Sequence, residues 1–230
     1  MTRTALYDPP LMPHLLVEGL NRYNEEPCLL LGDKVASYRE VRESTSQMVQ
    51  ALQAKGLGKG SRIAVISANR PEVLSNIAAM QLAGCVGTPL HPLGSLDDHA
   101  YILEAAEIDA LVYDASLFDA HAAKLKEKVP GLKHLLGFGP TETGEDYLAL
   151  AASFEPQTLV APDVLPDDVS SVNFTGGTTG RPKGVMSTHR VTAYMTQIQM
   201  AEWEFPTDVR MLMATPLSHA AAAFFIPVLQ

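Results

Sequence analysis

A run of small and hydroxylic residues followed by one lysine is the part of this sequence best equipped for chemistry: Ser170-Ser-Val-Asn-Phe-Thr175-Gly-Gly-Thr-Thr-Gly180-Arg-Pro-Lys183-Gly-Val-Met186. Gly176, Gly177 and Gly180 let a backbone come close to an anion and aim its N–H groups at it, and the hydroxyls of Thr175, Thr178 and Thr179 add donors. Lys183 supplies a compensating positive charge. An ammonium set against a phosphate contributes roughly 1.5–3 kcal/mol, about ten- to a hundredfold in affinity. The composition therefore suits a phosphate chain. Two other readings share these residues. Gly and Thr are ordinary turn residues, so a plain hairpin loop has the same composition. A GxxxxGK[ST] nucleotide loop also places a lysine six residues after a glycine, as Lys183 follows Gly177. Here, however, Pro182 stands where its second glycine belongs, and Gly184 replaces the hydroxyl that would hold Mg²⁺.

The flanking residues define what holds the loop. An apolar strand runs into it, Gly184 to Met186 reads as a return strand, and a helix starts near Ser187 or Thr188. That helix carries Val191, Tyr194, Met195 and Ile198 at i, i+3, i+4 and i+7. The loop is thus expected to join two strands rather than cap a helix. Upstream, short apolar runs at 62–67, 85–90, 109–113 and 134–138 read as buried strands with helical patterns between them, the signature of an α/β fold with a mostly parallel sheet. Val41, Thr45, Met48 and Leu52 mark the inner face of one helix, with Gly56 just past its end. Val73, Leu74, Ile77 and Met80 mark that of another, opening at Pro71 and stopping at Gly84. Between Gly139 and Asp168 the pattern weakens around four prolines and reads as a surface connection with one short helix near Tyr147. This divides the chain into a first α/β subdomain, 1–150, and the start of a second, 151–230, that carries the loop.

Composition narrows the function classes. Seventeen Lys and Arg against 26 Asp and Glu leave a net charge of −9, which opposes non-specific binding to nucleic acid or anionic lipid. Cys28 and Cys85 stand far apart without a CxxC pair or a histidine cluster, so neither a disulfide framework nor a zinc site is expected, and a reducing cytoplasm fits. The first sixteen residues lack the apolar core of a secretory signal. Residues 211–230 hold no charged side chain, but Pro216 and Pro227 interrupt them, so a buried strand plus helix is expected there rather than a membrane span.

The segment 174–185, Phe-Thr-Gly-Gly-Thr-Thr-Gly-Arg-Pro-Lys-Gly-Val, resembles the signature loop of the adenylate-forming superfamily, whose usual form is Tyr-Thr-Ser-Gly-Thr-Thr-Gly-x-Pro-Lys-Gly. Gly176 takes the place of the family's serine. Ser37-Tyr-Arg-Glu-Val41, Asn69-Arg-Pro-Glu72, Leu82-Ala-Gly-Cys-Val-Gly-Thr-Pro-Leu90 and Pro216-Leu-Ser-His219 follow the family in the same order. The resemblance implies an acid–thiol ligase of acyl-CoA synthetase type. Such an enzyme activates a carboxylate, here expected to be a fatty acid, with ATP and Mg²⁺ to an acyl-adenylate, and then passes the acyl group to CoA. It implies that Thr175, Gly176, Gly177, Thr178, Thr179, Gly180 and Lys183 hold the triphosphate and that His219 borders the acyl pocket. By itself His219 would read as a partly buried histidine with its hydrogen bonds satisfied.

The family's Tyr-Gly-x-Thr-Glu segment, its ribose-binding Asp and its catalytic Lys are not found in this sequence, and its Mg²⁺-binding glutamate goes with them. Thr141-Glu142 reads as a solvated turn. The chain is therefore expected to be the front part of such an enzyme and not to complete adenylation alone. Residues 220–229, apolar on every side, are expected to be exposed and to offer a surface for association. A non-catalytic nucleotide- or acyl-binding module and an amino-acid adenylation domain are the other readings, the latter disfavoured by His219.

Overall fold

The computed structural model describes residues 9–175, 181–206, 208–218 and 220–230. Helix α1 (Met12–Arg22) is followed by an antiparallel hairpin, β1 (Pro27–Leu31) and β2 (Lys34–Ser37), which forms a two-stranded sheet of its own. Helix α2 (Tyr38–Ala54) opens on a reciprocal cap: the Ser37 hydroxyl accepts from the Glu40 N–H, and the Glu40 carboxylate accepts from the Ser37 N–H. Strands and helices then alternate: β3 (Arg62–Ile66), α3 (Pro71–Leu82), β4 (Val86–Pro89), α4 (Leu96–Ala105), β5 (Ala110–Tyr113), α5 (Ala115–Lys128) and β6 (His134–Gly137). After these come β7 (Glu145–Asp146), α6 (Tyr147–Ala152), β8 (Val169–Thr175), β9 (Lys183–Thr188), α7 (His189–Glu202), a 3-10 turn (Ala220–Phe224) and α8 (Phe225–Leu229).

Strands β3 to β9 form one sheet in the order β7-β6-β5-β3-β4-β8-β9, parallel except where β9 returns along β8. The inner strands β3, β4, β5 and β6 are buried on both faces, which is why their sequences are continuous apolar runs. Ile63, Val65, Ala110 and Val112 point into a core shared with α1, α2, α3 and α6. Their neighbours Ala64, Ile66, Leu111 and Tyr113 point into a second core beneath α4 and α5. Helices thus cover both faces, as the sequence predicts. The expected inner faces of α2 and α3 hold, with Val41, Thr45, Met48, Leu52, Val73, Leu74 and Met80 buried. Gly56 and Gly84 close these helices at φ +71° and +72°, a conformation that side chains with a Cβ avoid.

Three expectations change. The connection 139–168 is not all surface, because β7 adds an edge strand and Tyr147 is fully buried, its hydroxyl donating to the Met48 carbonyl at 3.2 Å. Thr141 is tied down as well: its hydroxyl lies 2.6 Å from that of Tyr113 and donates to Asp119, so this turn staples the end of β6 to α5. Residues 211–216 form no strand, and the apolar segment after them is not exposed. Ala221, Phe225, Ile226 and Leu229 are buried in the first core with Leu15, Leu16 and Leu20. Gly19 makes this possible, since a Cβ there would lie 3.0 Å from Leu229 Cβ, and Gln230 Nε2 donates to the Leu15 carbonyl at 2.7 Å. The surface proposed for association is therefore internal. No helix among the described residues is long and apolar enough to cross a membrane.

Candidate functional site

In a parallel sheet, ligands gather outside the carboxyl ends of the strands, where the strand order reverses. Here β4 and β5 flank β3 on opposite sides, so the reversal lies between β3 and β5. The residues that follow β3 are Ser67, Ala68, Asn69 and Arg70. Asn69 Nδ2 donates to the carbonyls of Met213 and Thr215, and its Oδ1 accepts from the Leu217 N–H, each at 2.9 Å. One side chain thereby clasps 213–217 at the edge of the sheet. Arg70 beside it is committed to structure. It donates to Glu72 at 2.9 Å, pairs with the buried Asp114 at 3.1 Å and lies over the Phe138 ring at 5.5 Å. The Glu72 hydrogen bonds hold its guanidinium still more firmly charged than usual.

Thr175 ends β8 and Lys183 begins β9, and the two are paired across the antiparallel hairpin, with the Thr175 hydroxyl 3.4 Å from the Lys183 carbonyl. Because β8 runs parallel to β4 and β4 to β3, Thr175 lies on the same edge as Asn69, two strand spacings or about 10 Å across. Both Thr175 and Lys183 are exposed, and Lys183 has no ion-pair partner among the described residues. The hairpin is followed by the strand β9 and then by α7, whose cap is the Thr188 hydroxyl, so the loop joins two strands as expected and does not have the strand–loop–helix form of a GxxxxGK[ST] site. Close packing favours glycine at 184, since a Cβ there would sit 3.0 Å from Val172 Cγ1 and 3.1 Å from Phe174 Cζ. Gly176, Gly177, Thr178, Thr179, Gly180 and His219 lie outside the described residues.

Past the loop, the Arg181 guanidinium lies 5.1 Å over the Tyr101 ring, a contact of about 0.5–1 kcal/mol that ties the loop's exit to α4. The cavity there, about 520 Å³, is lined by Asp97, Asp98, Glu104 and Tyr101 as well as Lys128 and Arg181. Three carboxylates make it a poor place for a polyphosphate. A smaller apolar cavity of about 130 Å³ is bordered by Met211 to Thr215, Ala221 and Phe224. It falls below the roughly 300 Å³ at which small-molecule sites begin. Among the described residues no three His, Cys, Asp or Glu side chains come together, so none of them forms an all-protein metal cage. For a phosphate chain they do fit: Thr175 and Lys183 are paired at the mouth of the hairpin, both exposed, and Lys183 has no ion-pair partner among the described residues.

The family of AMP-binding enzymes matches residues 16–229. The chain belongs to that family. Among its relatives is the medium/long-chain-fatty-acid–CoA ligase FadD8 of Mycobacterium tuberculosis, 47% identical over 220 residues, a match covering 93% of this chain and 38% of that protein. A feruloyl-CoA synthase from Amycolatopsis is 31% identical over 193 residues, covering 83% of this chain and 36% of its own length. Among solved structures, the amide bond synthetase McbA from Marinactinospora thermotolerans superposes with a TM-score of 0.83 at 25% identity, over 96% of this chain and 42% of McbA. The chain thus spans well under half the length of these AMP-binding relatives. Within the family's fold, Asn69 and Arg181 stand in segments that resemble the family, but what they hold, the 213–217 segment and Tyr101, escaped sequence reading. Their partners lie 80 to 148 positions away, beyond the reach of any local pattern.

Proposed function

We propose that this chain contributes the triphosphate-binding hairpin to an ATP-dependent acid–thiol ligase acting on a fatty acid. The observation that carries the reading is the pairing of Thr175 with Lys183 at the carboxyl edge of the sheet, with the Lys183 ammonium unpaired among the described residues and exposed. The 47% identity to a fatty-acid–CoA ligase supports the substrate class. In this reading a carboxylate oxygen of the acid attacks the α-phosphorus of ATP and pyrophosphate leaves. The CoA sulfur then attacks the acyl carbon and AMP leaves. Thr175 to Gly180 and Lys183 hold the β- and γ-phosphates, so that charge building on the departing pyrophosphate meets a fixed cation and N–H donors. Mg²⁺ would add further neutralisation when bound, through residues other than those described. In this reading His219 borders the acyl pocket. The loop opens the second subdomain, 151–230, behind a first subdomain of 1–150, and the chain alone does not complete adenylation.

The test is thermal unfolding of the 230-residue chain with and without ATP. Ligand bound at a hundred times its dissociation constant stabilises by about 2.7 kcal/mol. Lys183→Ala is expected to weaken the ATP-induced shift ten- to a hundredfold in the concentration needed. Equal shifts for the variant and the parent would remove Lys183 from the site. Carboxylate-dependent exchange of pyrophosphate into ATP by this chain would show that it completes the first step after all.

A further inference from the structure

On the β8–β9 hairpin, Phe174 and Gly184 are paired and share a face, and Phe174 packs on the core beneath α4 and α5. Thr175 and Lys183, the next pair, belong to the opposite face, because side chains alternate along a strand. Arg181, two residues before Lys183, returns to the α4 side. Its guanidinium lies 5.1 Å over the Tyr101 ring, in the cavity that Asp97, Asp98 and Glu104 also line. Asp97 is paired with Lys128 at 2.8 Å, so among the lining residues Arg181 is the cation left to offset Asp98 and Glu104. The chain thus straddles the exit of the loop, with Arg181 on one side, Lys183 on the other and Pro182 between them. Proline fixes its own φ and confines the residue before it to extended backbone, which makes Arg181-Pro182-Lys183 a stiff tripeptide. A clamp on the Arg181 guanidinium therefore fixes the backbone from which Lys183 projects.

We propose that Tyr101 is a positioning residue for phosphate binding: its ring berths Arg181 and, through Pro182, holds the Lys183 ammonium where the phosphate chain of ATP meets it. This rests on the reading of the hairpin as a triphosphate site. Arg181 is then an anchor kept off the face to which Lys183 belongs, and not a second phosphate ligand. The ring carries the effect rather than the hydroxyl, since a guanidinium is drawn to the negative face of the π-system. With the berth removed, Lys183 must be ordered by the ligand itself, and that ordering lowers affinity. A contact of this kind corresponds to about two- to fivefold in affinity.

The test uses the 230-residue chain and two readouts. ATP affinity is taken from the concentration dependence of the thermal shift. The Tyr101–Arg181 contact is followed without ATP, by the upfield displacement that a ring imposes on the side-chain protons of Arg181 in a magnetic resonance spectrum. Tyr101→Leu and Arg181→Ala are each expected to raise the ATP concentration required about two- to fivefold. The double variant should bind no more weakly than either single one, because both remove the same contact. Tyr101→Phe keeps the ring and should keep both the affinity and the displaced resonances. Arg181→Ala alters an exposed side chain, so it decides the matter even where Tyr101→Leu disturbs the core. Parental affinity in Arg181→Ala, additive losses in the double variant, or a loss in Tyr101→Phe equal to that in Tyr101→Leu overturns the proposal. Tighter binding by Tyr101→Leu also overturns it, by making Arg181 a phosphate ligand that the ring withholds. Undisplaced Arg181 resonances in a parent that binds ATP refute the berth and leave the triphosphate reading standing. Displaced resonances in a parent that ATP does not stabilise refute that reading, and the proposal with it.

Discussion

His99 is 1% exposed and uses both ring nitrogens: Nε2 lies 2.9 Å from the His91 carbonyl and Nδ1 2.9 Å from His121 Nε2. Since a carbonyl only accepts, Nε2 of His99 carries its proton, and Nδ1 accepts from His121. Gly94 makes room for this arrangement, because a Cβ there would run into the His99 ring. Burial pushes the pKa of both imidazoles down. For His99 the hydrogen bond to the His91 carbonyl opposes this, as does the charge of Asp98, while the His121 and His91 rings add to it; for His121, Lys124 adds to the effect. The unfolded chain, with imidazoles near their ordinary value of about 6.5, then takes up protons before the folded one does. Stability from this pair is complete above about pH 6.5 and is lost as pH falls below it toward the lowered folded-state values. The melting temperature should fall between pH 7 and pH 5, above the range where the paired aspartates begin to protonate. His99→Gln with His121→Gln should flatten part of that slope, His189 supplying some of the rest because burial lowers it too. An unchanged slope in the double variant would show that the pair does not titrate on unfolding.

Between elements, the clasp from the end of β3 to 213–217 gives the sheet edge its shape. Asn69→Ala removes three hydrogen bonds, each worth about 0.5–1.5 kcal/mol. The Leu217 amide should exchange with solvent at least about tenfold faster, while amides of α3 keep their protection. Exchange at Leu217 equal to that of the parent would mean that the apolar contacts of Leu217 hold the segment alone. This clasp also marks what a sequence reading reaches. The loop, the four inner strands and the faces of α2 and α3 follow from local spacing and were legible. Tyr147 looked like part of a surface connection because its neighbourhood is rich in proline and acid, and only its bond to Met48, 99 positions back, reveals it as core. Val191, Tyr194, Met195 and Ile198 were legible as a stripe, but periodicity carries no information about which side of a helix is covered, and these four are about half exposed. The apolar 220–229 segment misled for the same reason: its partner, α1, lies at the other end of the sequence.

For the molecule as a whole, the two cysteines report on different bodies. Cys28 belongs to the two-stranded hairpin, and Cys85 precedes β4 in the main sheet. Burial pushes both thiols up to about 12. With a pKa near 12, roughly one thiol in ten thousand is ionised at pH 8, against about a quarter for a free cysteine. A thiol reagent should therefore label the native chain orders of magnitude more slowly than the urea-unfolded chain. In low urea Cys28 should react first, since the hairpin can open without the sheet. Simultaneous labelling would show that hairpin and sheet open as one unit. The contact of α1 with α8 has a consequence during synthesis. Leu15 meets its partner Gln230 only after another 215 residues have been made. At 5–20 residues per second, α2 and α3 can pack on α1 early, but the part of its apolar side that α8 covers stays open for roughly 10–40 s. During that interval the α8-facing side of α1 is apolar surface open to a chaperone at the ribosome.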